Sequence, residues 1–147
     1  MSLSENEPHY FTIEEAIKIH KLVMNDTNQQ PQPIKDPISR NTLGSALARP
    51  RQLAHYEAAD VIRQAALMCI SISQAQAFVD GNKRTAFAIT DAFLRSAGLK
   101  IGPGKGLLVA QKLEEVAQKL IEDPGQPGRD TLENEFDYWL HSAVVPY

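Results

Sequence analysis

The sequence predicts an all-α fold of about six helices packed around a central helix-loop-helix. Six segments carry apolar residues at the three- and four-residue spacing of amphipathic helices, and no strand of convincing length interrupts them. We find no internal repeat and no low-complexity tract. The chain has 147 residues, of which 43% are hydrophobic, so we expect residues 1–147 to form a single domain with a sizeable core.

The first two predicted helices are separated by a polar loop. The stretch from Tyr10 to Asn25 has the spacing of an amphipathic helix, with Thr12 as its N-cap and Glu15 three residues on. Residues 25–37 are polar and include three prolines, which is typical of a surface loop. A short helix from about Ile38 to Ala48 is expected to follow.

Pro50 predicts the end of this second helix, because proline restricts its own backbone and that of the residue before it. We therefore expect the stretch from Arg49 to Tyr56 to form an irregular or hairpin-like flap. In this interpretation Arg49 and Arg51 face an anionic ligand.

The central helix-loop-helix follows the flap. Glu57 to Gln76 is apolar on most of its circumference, which predicts a largely buried helix. A turn at Asp80 to Asn82 leads into a second helical stretch, Lys83 to Ala97, and Gly98 is placed to end it as a C-terminal cap.

Two further amphipathic helices are predicted, from Leu107 to Ile121 and from Asp130 to Ala143. The glycine-rich stretch Gly102 to Gly106 precedes the first of them. It lacks the spacing and the preceding strand of a nucleotide-binding P-loop, so we interpret it as a turn.

Composition excludes several classes of function. A formal net charge of −3 gives no broad cationic surface, so direct nucleic-acid binding is not expected. The chain has neither an apolar run long enough for a membrane span nor an apolar leader, and its single cysteine, Cys69, favours a reducing compartment. We expect a cytoplasmic protein that does not associate with membranes. The four histidines are dispersed and give no transition-metal spacing; His20 is expected in the core.

The turn at residues 80–84 has the composition of a phosphate site. If Asn82 or Lys83 opens a helix, the unpaired N–H groups of its first turn attract an oxyanion. Gly81 allows close approach of the backbone, and Lys83 and Arg84 add positive charge. Asp80 is suited to hold Mg²⁺ beside bound phosphates. The same residues would also serve simply to end one helix and begin the next.

Residues 77–87, AFVDGNKRTAF, resemble the motif of the Fic/Doc family, written HxFx[D/E]GNxR in its Fic form and HxFxDxNKRTA in its death-on-curing (Doc) form. The upstream stretch TLGSALARPRQLAHYEAADVIRQAALM is similar to the family's flap region and to the helix that leads to the motif. The resemblance covers about half of the chain and implies a Fic fold. Lys83 and Phe87 place the chain nearer the Doc form.

This resemblance implies ATP and Mg²⁺ as cofactors. The Doc branch is associated with phosphorylation of elongation factor Tu, and the Fic branch with transfer of AMP to protein hydroxyls. The implied roles are Phe78 as core anchor, Asp80 as Mg²⁺ ligand, Gly81, Asn82 and Lys83 as an anion-binding nest, and Arg84 as the residue that holds a terminal phosphate.

Gln76 stands where the family motif has a histidine that accepts the proton of the attacking hydroxyl. A glutamine amide accepts a hydrogen bond but no proton near neutral pH, so transfer is expected to be impaired. Among the other histidines, His55 in the expected flap is the one candidate for a substitute base. The alternatives are therefore phosphate transfer, AMP transfer, or a pseudoenzyme that binds a nucleotide or a partner.

Some Fic relatives inhibit themselves through an [S/T]xxxE[G/N] helix. Thr131 and Glu135 have this spacing, but Phe136 follows where glycine or asparagine is expected. The resemblance therefore implies restraint by a separate antitoxin protein.

Overall fold

The computed structural model describes residues 7–122 and 126–147. This part of the chain contains six helices and two short strands, which confirms the all-α prediction. The elements in chain order are α1 (Ile13–Asp26), α2 (Pro37–Glu57), α3 (Val61–Ala75), α4 (Asn82–Ser96), β1 (Leu99–Ile101), α5 (Gly106–Glu122), α6 (Gln126–Ala143) and β2 (Val144–Pro146).

Helix α3 is the centre of the fold, as its apolar circumference predicts. It packs against α2, α4, α5 and α6, and most of its side chains are buried. Cys69 is fully buried within it, and this burial raises the pKa of the thiol to about 12. None of the helices in the described ranges is both long and apolar enough to cross a membrane.

Helices α1, α2 and α3 begin at a side-chain cap. Thr12 and Glu15 form the predicted capping box of α1. Asp36 accepts a hydrogen bond from the Ser39 N–H at the start of α2, and Asp60 caps α3 in the same way. Each carboxylate or hydroxyl pairs an N–H group that the helix itself leaves without an acceptor.

The predicted break at Pro50 and the flap hairpin are wrong, because α2 continues as a helix from Pro37 to Glu57 with Pro50 inside it. An internal proline removes one helical hydrogen bond and costs about 3 kcal/mol. Packing of α2 on α3 offsets this cost, and the Arg49 side chain anchors the residue before the proline. Its guanidinium donates to Ser71 Oγ at 2.7 Å and to the Glu133 carboxylate at 2.6 and 2.9 Å.

The two arginines of this segment make contacts within the fold, and neither lines the cleft beside the turn at residues 80–84. The anion that Arg49 meets is Glu133 of α6, and Arg51 lies over the ring of Tyr10, 4.7 Å from its centroid. Both side chains are structural contacts of α2.

Strands β1 and β2 form a two-stranded antiparallel sheet, in which Leu99 pairs with Pro146 and Ile101 with Val144. Strands of three residues are too short for alternation to be recognised in a sequence. Gly98 ends α4 with φ of 84° and directs the chain into β1. The stretch Gly102 to Gly106 is a turn, as predicted, between β1 and α5.

His141 of α6 joins α6 to the start of α3, and this contact makes stability depend on pH. Burial favours the neutral ring, but Nδ1 lies 2.9 Å from the Asp137 carbonyl and Nε2 lies 2.9 Å from the Asp60 carboxylate, and these acceptors raise the pKa of His141 above 6.5. The stabilisation is complete below pH 6.5 and is lost as pH rises through the raised pKa.

We expect His141→Gln to lower the free energy of unfolding at pH 6 by no more than about 1 kcal/mol, since the pair is well exposed. The loss should be smaller at pH 8.5. Urea unfolding of both proteins at the two pH values measures it, and an equal loss at both would show that His141 stabilises the fold through packing alone.

Candidate active site

The motif loop, residues 77–81, connects the C-terminus of α3 to the N-terminus of α4. Helix α3 ends at Gln76, which has left-handed backbone angles (φ 50°, ψ 42°) and turns the chain out of the helix. Gly81, with φ of 79°, is the N-cap of α4. Two changes of backbone direction within six residues thus place the loop across the adjoining ends of both helices.

Phe78 fixes the loop to the core, as predicted. Its side chain is 2% exposed, and its backbone forms an isolated antiparallel bridge with Ile34. The Asn82 side chain holds the same residue from the other side: its Oδ1 accepts from Phe78 N at 3.0 Å, and its Nδ2 donates to Phe78 O at 2.7 Å. The Asn82 amide is therefore a clamp on the loop, so that only its backbone N–H remains for the predicted anion nest.

The first turn of α4 lacks the side-chain cap that begins α1, α2 and α3. Gly81 has no side chain, and no side chain accepts from the first N–H groups of this helix. A side chain at position 81 would also have no room, because a Cβ there would lie 2.6 Å from Met24 Sδ. The positive end of the α4 dipole thus faces the cleft directly.

Asp80 and Arg84 lie beside each other at this helix end. Asp80 Oδ1 accepts from Gly81 N at 2.8 Å, and its Oδ2 is 3.7 Å from Arg84 Nη2. Arg84 Nη1 donates to Thr27 Oγ1 at 2.9 Å. The guanidinium is thus oriented by α1 while its side chain remains 37% exposed.

Lys83 does not point freely at the site, because its ammonium group pairs with Glu114 of α5. This ion pair reduces the charge that Lys83 adds to the nest. Lys83 therefore contributes to anion binding through its backbone N–H, and its ammonium group adds only the part of its charge that Glu114 does not neutralise.

The site residues enclose a cleft of about 390 Å³. Its walls come from the end of α3, from the motif loop, from α4 and from one residue of α5. The lining residues are Gln76, Val79, Asp80, Gly81, Asn82, Lys83, Arg84 and Ala110.

Gln76 is exposed at the mouth of this cleft, and its Nε2 donates to Ser73 O at 3.3 Å. No histidine is among the lining residues. His55 is misplaced for a substitute base: α2 runs antiparallel to α3, so that Ser45 lies near Ala75 while the end of α2 approaches the start of α3. His55 is therefore carried away from Gln76.

Sequence reasoning missed the part that α1 plays. His20, Met24 and Thr27 lie on one face of α1 and its cap, and all three support the motif loop or Arg84. Their i, i+4, i+7 spacing places them on one side of a helix, but core-facing residues of any amphipathic helix have the same spacing. The sequence alone therefore offers no means of assigning them to the site. His20 is buried, as predicted.

The donor set suits Mg²⁺ held jointly with a ligand rather than a closed protein cage. The described residues contain no group of three or more histidine, cysteine, aspartate or glutamate side chains placed to hold a metal. Asp80 offers one carboxylate, 61% exposed, beside the anion-binding end of α4. Magnesium is commonly held by one or two carboxylates together with phosphate oxygens and water, and Asp80 fits that pattern.

Comparison with known proteins agrees with this geometry. A model of the Fic/DOC family matches residues 10–94, a stretch that extends from just before α1 nearly to the end of α4 and includes the whole motif loop. A comparison with curated proteins gave no match. Because the family model covers more than half of the chain, this protein belongs to the Fic/DOC family.

Proposed function

We propose that this chain is a Doc-like toxin component that binds Mg-ATP in the cleft and transfers phosphate to a protein hydroxyl, slowly because Gln76 replaces the motif histidine. Family membership supports a Fic-type transferase. The nearer resemblance of the motif to the Doc form favours phosphate transfer, with elongation factor Tu as the candidate acceptor.

The observation that carries the proposal is the uncapped start of α4. Of the four helices α1 to α4, the first three begin at an oxygen that pairs their first N–H groups. Helix α4 has none and opens onto a cleft of about 390 Å³. An anion supplied from outside would satisfy these groups, and phosphate is the anion that such helix ends commonly bind.

Arg84 and Asp80 add one positive and one negative charge to the proposed phosphate site. Arg84 supplies a planar donor fork for a terminal phosphate. Asp80 would hold Mg²⁺, which when bound neutralises phosphate charge and polarises the oxygens at phosphorus. The opposite charges of Asp80 and Arg84 would thus be used by two different parts of one ligand.

Gln76 limits what this site does to an acceptor hydroxyl. Its amide oxygen would orient the hydroxyl through a hydrogen bond but cannot take its proton, which would pass to water or to an oxygen of the transferred phosphoryl group. General-base catalysis is worth about 10² to 10⁴-fold, and positioning and charge stabilisation must support the remaining rate.

The same observation favours a second candidate, a pseudoenzyme that binds a nucleotide or a protein partner and acts by occupancy. The Fic/DOC family often pairs with antitoxins, and a separate antitoxin is the partner that we propose for either candidate. A pseudoenzyme would retain Mg-ATP binding or partner binding and show no transfer of label.

Replacing Arg84 with alanine tests the site. We expect a loss of Mg-ATP affinity of roughly 10 to 100-fold, because a hydrogen bond to a charged group is removed. Arg95→Ala is the matched control, since Arg95 lies on the same helix but pairs with Asp91 outside the cleft. Calorimetric titration measures both variants.

Equal affinities for the Arg84 and Arg95 variants would contradict the assignment of Arg84. If the unaltered protein shows no Mg-ATP binding at millimolar concentration, the nucleotide proposals fail, and binding of a protein partner becomes the better account.

A further inference from the structure

His20 lies fully buried beneath the motif loop and contacts both this loop and α4. Its ring stacks on Phe78 with ring centroids 3.8 Å apart and an interplanar angle of 3°. Its Nδ1 is 3.0 Å from Thr85 Oγ1 of α4, and its Nε2 is 3.0 Å from the Gln32 backbone nitrogen. One imidazole thus connects α1, α4, the motif loop and the α1–α2 loop (residues 27–36).

These two contacts determine where the ring proton lies. A backbone N–H only donates, so Nε2 must accept from Gln32. In a neutral ring the single proton is then on Nδ1, which donates to the Thr85 hydroxyl. Either the other tautomer or a charged ring would place a proton against the Gln32 N–H.

The surroundings keep the ring neutral. Burial lowers the pKa of His20, and the positive charge of Arg84 lowers it further, while the carboxylate of Asp80 opposes them. Near neutral pH the ring therefore retains its acceptor for Gln32.

We propose that His20 is a positioning residue, a neutral Nδ1–H imidazole that holds the α1–α2 loop and the motif loop in the one arrangement that leaves the start of α4 open to phosphate. The proposal rests on the proposed function only for its effect on ligand binding. Its structural part concerns the loops alone.

Two features transmit the effect of His20 to the site. Its Cε1 lies 3.5 Å from where a Cβ of Gly81 would be, so the ring edge supports the N-cap glycine of α4. Gln32 is two residues before Ile34, which bridges to Phe78, and the Lys35 N–H donates to Ala77 O at 2.9 Å. Loss of the hydrogen bond from Gln32 to His20 would loosen residues 32–35 and weaken their backbone contacts with the motif loop.

The test uses His20→Phe, which retains the stacked ring but removes both nitrogen contacts, and Thr85→Val, which removes only the acceptor of Nδ1. Phe136→Leu of α6 is the control, because it alters a core side chain outside the cleft. We expect amide hydrogen exchange at Gln32 and Lys35 to quicken by up to about tenfold in His20→Phe, as for the loss of one net hydrogen bond. The control should leave these amides unchanged relative to the rest of the fold.

Mg-ATP affinity gives the second readout. We expect His20→Phe to weaken it about tenfold and Phe136→Leu to leave it unchanged. If His20→Phe does not fold, the same exchange and affinity measurements are made on Thr85→Val. The ¹⁵N chemical shifts of the His20 ring in the unaltered protein then report which nitrogen carries the proton. An Nε2–H tautomer, or local exchange no faster than in the control, would overturn the proposal.

The two proposals fail separately. If the unaltered protein binds no Mg-ATP, the proposed function fails, while the ring tautomer and the exchange at Gln32 and Lys35 still decide whether His20 positions the loops. If nucleotide binds equally well to His20→Phe and to the control, the positioning proposal is wrong and the nucleotide site stands.

Discussion

Replacing Gln76 with histidine is expected to raise the rate of phosphate transfer from ATP to protein by about 10² to 10⁴-fold, the usual contribution of a general base. The pKa of an ordinary histidine lies near neutral, so an imidazole accepts the proton that a glutamine amide cannot. The position already suits a histidine. Gln76 is exposed at the cleft, and its left-handed backbone is a conformation in which histidine is enriched.

The cost of this substitution is small, because the side-chain contact that it removes is the hydrogen bond from Nε2 to Ser73 O at 3.3 Å. Gln74→His is the matched control. Gln74 lies on the same last turn of α3 but lines the neighbouring groove beside α2 rather than the cleft. A gain in Gln76→His that is absent from Gln74→His would assign the effect to the site.

Label transfer into the proteins of a bacterial lysate, with Mg²⁺ present, measures the rate. With γ-labelled ATP, labelling by the unaltered chain as fast as by Gln76→His would show that the reaction needs no base at position 76. Label transfer from α-labelled ATP alone would identify AMP transfer. If neither the unaltered chain nor Gln76→His transfers label from either form of ATP, the pseudoenzyme is favoured.

Prediction from sequence succeeded where a feature is local. Thr12 and Glu15 lie three residues apart, and the capping box that they predict is present. The motif is equally local. Asp80, Gly81 and Arg84 are brought together by one turn and the first residues of one helix, so their spacing in the chain nearly determines their spacing in space.

Prediction failed where distant residues decide the outcome. Pro50 is a correct local signal for a break, yet a carboxylate on α6, 84 positions from Arg49, anchors the residue before it. The role of His20 depends on Thr85, 65 positions away, and on a backbone N–H that no sequence pattern identifies. The intrinsic helix propensity of a residue predicts its structure only weakly, and tertiary contacts often override it.

Glu133 supplies the carboxylate that anchors Arg49, and Glu133→Ala is expected to lower the free energy of unfolding by about 3 to 5 kcal/mol. Its side chain is 7% exposed and serves two arginines, Arg49 at 2.6 Å and Arg129 at 3.5 Å. Truncation leaves the Arg49 guanidinium, itself 25% exposed, without its carboxylate. For a chain of this size the midpoint of thermal unfolding should fall by roughly 6 to 20 °C.

Glu135→Ala is the matched control, because it makes the same change two residues along α6 at an exposed position. Thermal unfolding followed by circular dichroism should show little change for it. The double variant Arg49→Met with Glu133→Leu should regain much of the lost stability, since replacing a buried pair by apolar side chains is often neutral, whereas removing one partner is not. If Glu133→Ala unfolds no earlier than Glu135→Ala, the ion pair is not what holds α2 helical through Pro50, and apolar packing of α2 on α3 must suffice.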